Sequence, residues 1–439
     1  MKNINKIFYS AILQSLQSKY IIYIFNLISL MILARLFSPE NFGAIAALMV
    51  FFNFFRLLGE GGLSPSIINL EYLTSENRNG IFSFFLILSA LSFVLFYLAA
   101  NYAVNFYNFE NFDYVVEVIS LSLFFYILSA FPNAMLLREK MFKKIAIIGV
   151  ISEIFSLIVV LLIYEYLPPL LSLSSKYMAS AIIFFCLSYF FSKDTEFGMP
   201  SFGRKISSYA IIRRTSTYTL GFNIVNYFPR NLDNIAVVKF FGETSLGLYD
   251  NAYRIMRYPM MLLSNAMSPA IQPVVKNLKN LPDKAQELHH KFVKRLLYIG
   301  LLFAGGIFVF SEIIIQIILG SKWLESAPIL QILALSIPFQ MALATAGGFF
   351  QSFEKPNLLF INGLLTSLVF IACLSVSLIF NDLLIICWGI LLSITINFYI
   401  TYIMISKNIF KSSFLSFLKE IWLVNVFVFI LYIYAFISN

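Results

Sequence analysis

The chain has 439 residues, of which 60% are hydrophobic and only 12% charged, and its mean hydropathy is +0.83. Soluble domains contain about 25% charged residues, so this composition excludes a soluble globular protein. The net charge of +9 does not indicate a nucleic-acid partner, because the basic residues lie in short loops between apolar segments and act as topology signals.

Apolar segments long enough to cross a membrane recur along the whole chain. A helical span needs about 17 to 25 residues, whereas the strands of a membrane barrel have about 10 residues of alternating polarity. The sequence therefore predicts an all-α polytopic membrane protein with about 12 to 14 transmembrane helices, best counted as thirteen. The spans are predicted at 11–34, 42–66, 80–104, 114–136, 145–165, 170–191, 214–239, 247–274, 292–318, 327–351, 357–379, 383–406 and 419–437.

The distribution of lysine and arginine predicts the orientation of the chain, because cytoplasmic loops of membrane proteins are enriched in these residues. Placing the N-terminus on the cytoplasmic side puts most of the 31 basic residues in cytoplasmic loops. The basic residues in the loops on the other side are Arg35, Lys176, Lys239 and Lys322. We therefore predict a cytoplasmic N-terminus.

The longest loop, 192–213, divides the predicted spans into two groups. It is basic and punctuated by glycine and proline, which is typical of a linker. We expect an N-terminal six-helix bundle in 1–191, a cytoplasmic linker in 192–213, a second six-helix bundle in 214–406 and an additional C-terminal helix in 407–439.

The first outside turn of each half has a similar sequence. Residues 35–43 and 239–247 each begin with a basic residue and two apolar residues, and each ends with an apolar residue and glycine. An even number of spans per half makes this a parallel pseudo-repeat. Such repeats predict two bundles packed around a central cavity.

Charged residues inside the predicted spans are the candidate functional residues. A charge at bilayer depth costs about 2.5 to more than 10 kcal/mol, so such residues are expected to face a cavity and to have a function. They are Arg56 and Glu60 in the second span, Glu153 in the fifth, Arg230 and Asp233 in the seventh, and Arg254 and Arg257 in the eighth. At about 1.5 Å per residue, the four arginines share one layer of the membrane.

The summed charge of this group predicts an anionic ligand. Four arginines against Glu60 and Asp233 leave a surplus of two positive charges. Guanidinium binds phosphate through two parallel hydrogen bonds, which favours a phosphate-bearing substrate. Tyr253 is a candidate to stack on a sugar, although such tyrosines also form interface belts. Glu60 and Glu153 are candidates to carry a coupling proton, because burial favours the protonated carboxyl.

Structural alternatives remain open for these residues. Arg56 and Glu60 are four residues apart on one helix face and can form an ion pair that only fixes packing. The other arginines can be satisfied by tyrosines, backbone carbonyls and water. The adjacent His289 and His290 point about 100° apart in a helix, which makes a poor metal pair. We expect no metal site, no cofactor and no catalytic residues, so the chain is not expected to be an enzyme.

Several motifs resemble those of a known family. They are Ala34-Arg35-Leu36-Phe37-Ser38-Pro39-Glu40-Asn41-Phe42-Gly43, Gly59-Glu60-Gly61-Gly62-Leu63, Arg230-Asn231-Leu232-Asp233, and Gly247-Leu248-Tyr249 through Tyr253-Arg254 to Pro259. Together they resemble the polysaccharide-transporter branch of the multidrug/oligosaccharidyl-lipid/polysaccharide (MOP) flippase superfamily, especially Wzx-type O-antigen and colanic-acid exporters. Glu60 stands where the family pattern has aspartate.

The resemblance implies both a fold and a substrate. The fold would be two six-helix bundles arranged in a V around a central cavity. The substrate would be an undecaprenyl-pyrophosphate-linked oligosaccharide, such as an O-antigen, capsule or exopolysaccharide repeat unit, moved from the cytoplasmic to the periplasmic leaflet of the bacterial inner membrane. The implied partners are this lipid-linked oligosaccharide, the inner-membrane lipids and other polysaccharide assembly proteins.

We predict a lipid-linked oligosaccharide flippase that works by alternating access. An ion gradient is the expected driving force, because the sequence has no glycine-rich phosphate loop with Lys-Ser/Thr. One alternative is a multidrug or cation antiporter of the related branch, for which a negative surplus is expected. Another is a membrane glycosyltransferase or polymerase, which the short outside loops disfavour. A structural scaffold would not need four buried arginines.

Overall fold

A computed structural model describes residues 2–60, 66–67, 70, 72–107, 109, 112–212, 224, 227, 229–276 and 282–438. In this part of the chain the secondary structure is helical, with no β-strand. The helices are α1 (Lys2–Leu36), α2 (Pro39–Glu60), α3 (Ser75–Tyr107), α4 (Val115–Arg138), α5 (Phe142–Ile163), α6 (Pro169–Phe191), α7 (Leu232–Lys276), α8 (Pro282–Ile318), α9 (Ser326–Ala334), α10 (Ile337–Ser352), α11 (Pro356–Leu378), α12 (Leu383–Ile405) and α13 (Phe414–Ser438).

The helices confirm the predicted all-α polytopic membrane fold. Among the described residues, ten helices are long and apolar enough to cross a membrane, or eleven if α9 and α10, which meet at a bend of 52°, form one span. The span predicted at 214–239 lies largely outside the described residues. The next predicted span, 247–274, lies in α7, whose charged residues lower its hydropathy. The total of thirteen spans therefore remains a prediction.

The chain forms two compact units, Met1–Gly247 and Leu248–Asn439. In the first unit, α6 packs along α4 and α5, α1 packs on α5, and α2 and α3 pack on α4. In the second unit, α8 packs against α9, α10 and α13, and α11 packs along α12. The bundle boundaries drawn from the sequence, the pseudo-repeat of the two bundles and the central cavity remain predictions.

The described part of the predicted linker, 192–212, is fixed against the first unit. Its contacts are the ion pairs Lys144–Asp194 (2.7 Å), Arg138–Glu196 (3.2 Å) and Lys205–Glu76 (3.3 Å), and the stacked rings of Phe84 and Tyr209 (3.8 Å). Gly80 allows the closest approach, because a Cβ there would lie 2.0 Å from the Lys205 carbonyl oxygen. These residues therefore form a strap across the ends of α3, α4 and α5.

The two turns matched in the sequence contact each other directly. A Cβ added to Gly43 would lie 1.7 Å from the carbonyl oxygen of Glu243, and one added to Gly247 would lie 1.9 Å from that of Pro39. The contact is reciprocal, since each glycine packs on the backbone four residues before the other. Helix α7 reaches this position through a break at Gly242, whose φ of 83° suits glycine best.

We expect Gly43→Ala to lower the amount of folded protein in the membrane. Extra atoms in a close-packed site cost about 1 to 3 kcal/mol even where side chains can adjust, and a backbone carbonyl cannot change rotamer. Gly305→Ala is the matched control, because a Cβ on that helical glycine meets nothing within 4 Å. Membrane abundance and thermal unfolding of the two variants measure the effect. Equal stability of both would contradict the close contact.

Candidate functional site

Arg56 lies in α2 of the first unit and contacts two side chains. Its Nε is 3.8 Å from Glu60 Oε1, one helical turn later, so the predicted ion pair is present but long. Its Nη1 donates to the Tyr126 hydroxyl at 3.5 Å, and its guanidinium lies 5.0 Å from the centre of that ring. Arg56 and Glu60 are both partly exposed, at 37% and 44%. This arrangement leaves Nη2 of Arg56 without a hydrogen bond to a described residue.

The Tyr126 ring, which contacts the Arg56 guanidinium, is itself held by packing between helices. Tyr126 projects from α4 and stacks parallel to Phe184 of α6, with ring centres 6.1 Å apart. On α2, the Val50 carbonyl accepts a hydrogen bond from the Tyr227 hydroxyl, and Phe54 lies 5.6 Å from the Tyr227 ring. The stacking of Tyr126 on Phe184 therefore fixes the ring against which the guanidinium lies.

Arg254 and Arg257 lie in α7 of the second unit and share one helix face. Arg254 Nη2 forms an ion pair with Asp250 Oδ2 at 2.9 Å. The Arg257 guanidinium lies 4.7 Å from the centre of the Tyr253 ring, a distance at which cation–π attraction operates. Both arginines are exposed, so this face of α7 presents two guanidinium groups beside a tyrosine.

Arg230 and Asp233 are not brought together as the sequence suggested. The expectation assumed helical spacing, but Arg230 lies in the turn before α7 and only Asp233 is in the helix. Arg230 is exposed and Asp233 is buried, and no ion pair joins them. Of the predicted arginine cluster, Arg56 and Arg230 belong to one unit and Arg254 and Arg257 to the other. A shared cavity for all four remains a prediction.

Asp250, which was not among the predicted site residues, changes the charge of the group. Counting Asp250 with Glu60 and Asp233 sets three carboxylates against four arginines, which leaves a surplus of one positive charge instead of two. The sequence spacing could have predicted this ion pair, because Asp250 precedes Arg254 by four residues on the same helix face. Arg257 remains without an ion-pair partner among the described residues.

Glu153 is part of a buried ion pair that the sequence analysis also missed. Its Oε1 lies 2.7 Å from Lys176 Nζ, and the two side chains are only 11% and 18% exposed. Lys176 had been assigned to an outside loop, which is wrong, because it lies eight residues into α6. The pair joins α5 to α6 inside the first unit. Glu153 is therefore a paired carboxylate.

Comparison with known proteins identifies the family. A sequence model of the family described as "Polysaccharide biosynthesis protein" matches residues 32–328, which is more than half of the chain. The chain belongs to this family. This membership agrees with the resemblance to polysaccharide transporters that the motifs around Glu60 and Arg254 implied.

Two curated relatives illustrate this family membership. The succinoglycan biosynthesis transport protein ExoT of Rhizobium meliloti (strain 1021) is 22% identical over 307 residues, covering 70% of this chain. The chain covers only 61% of the length of ExoT. The lipopolysaccharide biosynthesis protein WzxC of Escherichia coli (strain K12) is 20% identical over 403 residues, covering 91% of this chain and 80% of WzxC.

A solved structure shows the same fold for this family member. The lipid II flippase MurJ, in an inward closed conformation, superposes with a TM-score of 0.74 at 18% sequence identity. The match covers 94% of this chain and 92% of that chain. The similarity in fold therefore also includes helices after residue 328, which the family sequence model does not match.

Proposed function

We propose that this protein is a flippase that moves an undecaprenyl-pyrophosphate-linked oligosaccharide across the bacterial inner membrane by alternating access. The observation that supports it most directly is the exposed face of α7, where Arg254 and Arg257 lie beside Tyr253. The names of the relatives, a succinoglycan biosynthesis transport protein and a lipopolysaccharide biosynthesis protein, agree with such a substrate. The bundles 1–191 and 214–406 would rock around it, with 407–439 as an added helix.

The arginines would bind the pyrophosphate. Arg254 and Arg257 follow Asp250 by four and seven residues and lie on the same face of the helix. Their guanidinium groups can therefore reach adjacent phosphate oxygens. Arg56 offers its unbonded Nη2 from the first unit. Tyr253 and Tyr126 present ring faces on which a sugar can stack, and each already holds a guanidinium in place. Arg230, in the turn before α7, would contact the substrate from the end of the same segment.

Glu60 is the coupling carboxylate that we favour. Its distance from Arg56 Nε, 3.8 Å, is at the outer limit of an ion pair. A phosphate that binds Arg56 would take the place of Glu60, and the released carboxylate would then gain a proton because a charge is costly at this depth. Substrate binding and proton uptake would thereby be linked at one arginine. Glu153, which is paired with Lys176, is assigned to ion pairing within the first unit.

We place the protein in the inner membrane with a cytoplasmic N-terminus, and with inner-membrane lipids and other polysaccharide assembly proteins as its partners. The orientation rests on the basic residues of the cytoplasmic loops. Single cysteines at Lys193 and Lys322, introduced into a chain without native cysteines, test it with a membrane-impermeant thiol reagent on intact cells. Labelling at position 322 alone agrees with the orientation, and labelling at position 193 alone would reverse it.

The decisive experiment is reconstitution. Purified protein in vesicles is given an undecaprenyl-pyrophosphate oligosaccharide in one leaflet, and its arrival in the other leaflet is followed with an impermeant glycosidase. Vesicles without protein, and a glycolipid that lacks phosphate, are the controls. Translocation of the pyrophosphate lipid alone supports the proposal. Absence of translocation together with gradient-driven extrusion of a cationic dye would instead establish the antiporter.

A further inference from the structure

His289 and His290 lie in a place that the sequence did not predict. They are 1% and 3% exposed, in the first turns of α8, where the start of α13 and the ends of α10 and α12 meet. Among the described residues, no group of three metal-ligating side chains is present. Both histidines lie inside the second unit.

The two rings have different surroundings. His290 Nδ1 lies 2.8 Å from Oε1 of Glu420, a carboxylate on α13 that is 44% exposed. His289 is enclosed by aromatic rings, with its centre 4.3 Å from that of Phe349, 5.2 Å from Phe410 and 5.5 Å from Tyr402. The two imidazole centres are 5.8 Å apart.

Three of the four ring nitrogens lack a hydrogen-bond partner among the described residues. These atoms are both nitrogens of His289 and Nε2 of His290. An unsatisfied buried polar atom costs about 1 to 3 kcal/mol, so apolar side chains here would give a more stable core. Packing alone therefore does not account for the pair. The property that histidine has and phenylalanine lacks is proton binding near neutral pH.

Few ionisable groups face this histidine pair in the described chain. Helix α13 contributes Glu420, and α12 contributes Tyr402, whose hydroxyl donates to the Ala342 carbonyl at 2.9 Å and is thus engaged. From α10 and the turn after α12, the neighbours are the rings of Phe349 and Phe410. On α8 itself, Glu287 and Lys291 pair with each other at 2.5 Å on the exposed face. Among the described residues, Glu420 is therefore the carboxylate in contact with the pair.

We propose that His290 and Glu420 form a proton-binding site through which pH controls export. A proton from water reaches the exposed Glu420 carboxylate and passes to His290, so that a neutral imidazole becomes an imidazolium paired with a carboxylate. The nearby His289 stays neutral, because a second positive charge 5.8 Å away in a buried site is opposed by repulsion and desolvation. Proton binding would thus tighten the contact between α8 and α13. In the predicted orientation this site faces the cytoplasm, and its link to export rests on the proposed function.

The chain has two histidines, which makes a direct test possible. Protein labelled with ¹⁵N-histidine, purified without a histidine tag, is titrated by NMR in lipid nanodiscs from pH 5 to 9. We expect one histidine to titrate and the other to stay constant, and His290→Gln should remove the titrating signal. Glu420→Gln should change the titration curve of that signal, since the carboxylate 2.8 Å from His290 Nδ1 is gone.

Export in the reconstituted vesicles supplies the second measurement. The rate should depend on pH for the unaltered protein and become flat in His290→Gln, whereas Glu287→Gln, on the same helix but in the exposed pair, should keep the original profile. The proposal is overturned if no histidine titrates, if Glu420→Gln leaves the titration curve unchanged, or if His290→Gln retains the pH profile. Failure of the flippase function would instead appear as no translocation at any pH, with the NMR titration intact.

Discussion

Replacing Arg254 and Arg257 together by alanine should reduce export of the lipid-linked oligosaccharide at least about a hundredfold while the protein remains folded in the membrane. Hydrogen bonds to charged groups contribute about 1.5 to 3 kcal/mol each. The loss of two guanidinium contacts therefore corresponds to about a hundredfold change or more, since about 1.4 kcal/mol is a factor of ten. Stability should survive, because Asp250 is 25% exposed and is not left as a deeply buried charge. Surface glycan, measured beside membrane abundance, reports both quantities.

Two further variants separate phosphate binding from a general role of charge. Asp250→Asn removes the ion-pair partner of Arg254 but leaves both arginines, so export should persist. Lysine at positions 254 and 257 should restore export only in part, because an ammonium group keeps the charge but cannot hold two phosphate oxygens in a fixed fork. Normal export from a stable Arg254→Ala/Arg257→Ala protein would end the hypothesis that these residues bind an anion.

Lys176→Met should strongly reduce the amount of folded protein, and the double change Lys176→Met/Glu153→Gln should largely restore it. Removing one partner of a buried ion pair costs about 3 to 5 kcal/mol, whereas a neutral pair of similar volume leaves no isolated charge. The matched control is Lys144→Met, which breaks the more exposed pair with Asp194 and should cost less than about 1 kcal/mol. Thermal unfolding in detergent and membrane abundance measure the difference.

The double variant also tests the role of Glu153 in transport. If it is stable and exports normally, Glu153 serves packing and Glu60 remains the coupling candidate. A stable double variant without export would assign the coupling proton to Glu153 instead. Equal abundance of Lys176→Met and Lys144→Met would contradict the buried ion pair itself.

The fold class was predictable from the sequence because it depends on long apolar segments and on motifs that are local in the chain. Span ends were also close, since helix α4 (Val115–Arg138) was predicted at 114–136 and α11 (Pro356–Leu378) at 357–379. Helix α8 begins ten residues before its predicted span at 292, because its first turns are charged and hydropathy does not detect them. Charged residues likewise lower the hydropathy of α7, so hydropathy alone does not identify it as a span.

The site was less predictable, because contacts between helices leave no mark in a single sequence. The Arg56–Glu60 pair follows from spacing within one helix and was found, as Asp250–Arg254 could have been. The Glu153–Lys176 and His290–Glu420 pairs join residues on separate helices, and only packing brings them together. The expected pairing of Arg230 with Asp233 failed because a turn, and not a helix, connects them.

The contact between the turns of Gly43 and Gly247 restricts how the sequence can change. It involves two backbones and no ionisable side chain, so neither pH nor ionic strength alters its strength directly. In most core contacts, a larger residue on one side can be accommodated by a smaller one opposite. Here each glycine faces a backbone carbonyl, that of Glu243 or that of Pro39. A compensating substitution at the opposite position does not exist, because every residue carries the same carbonyl group.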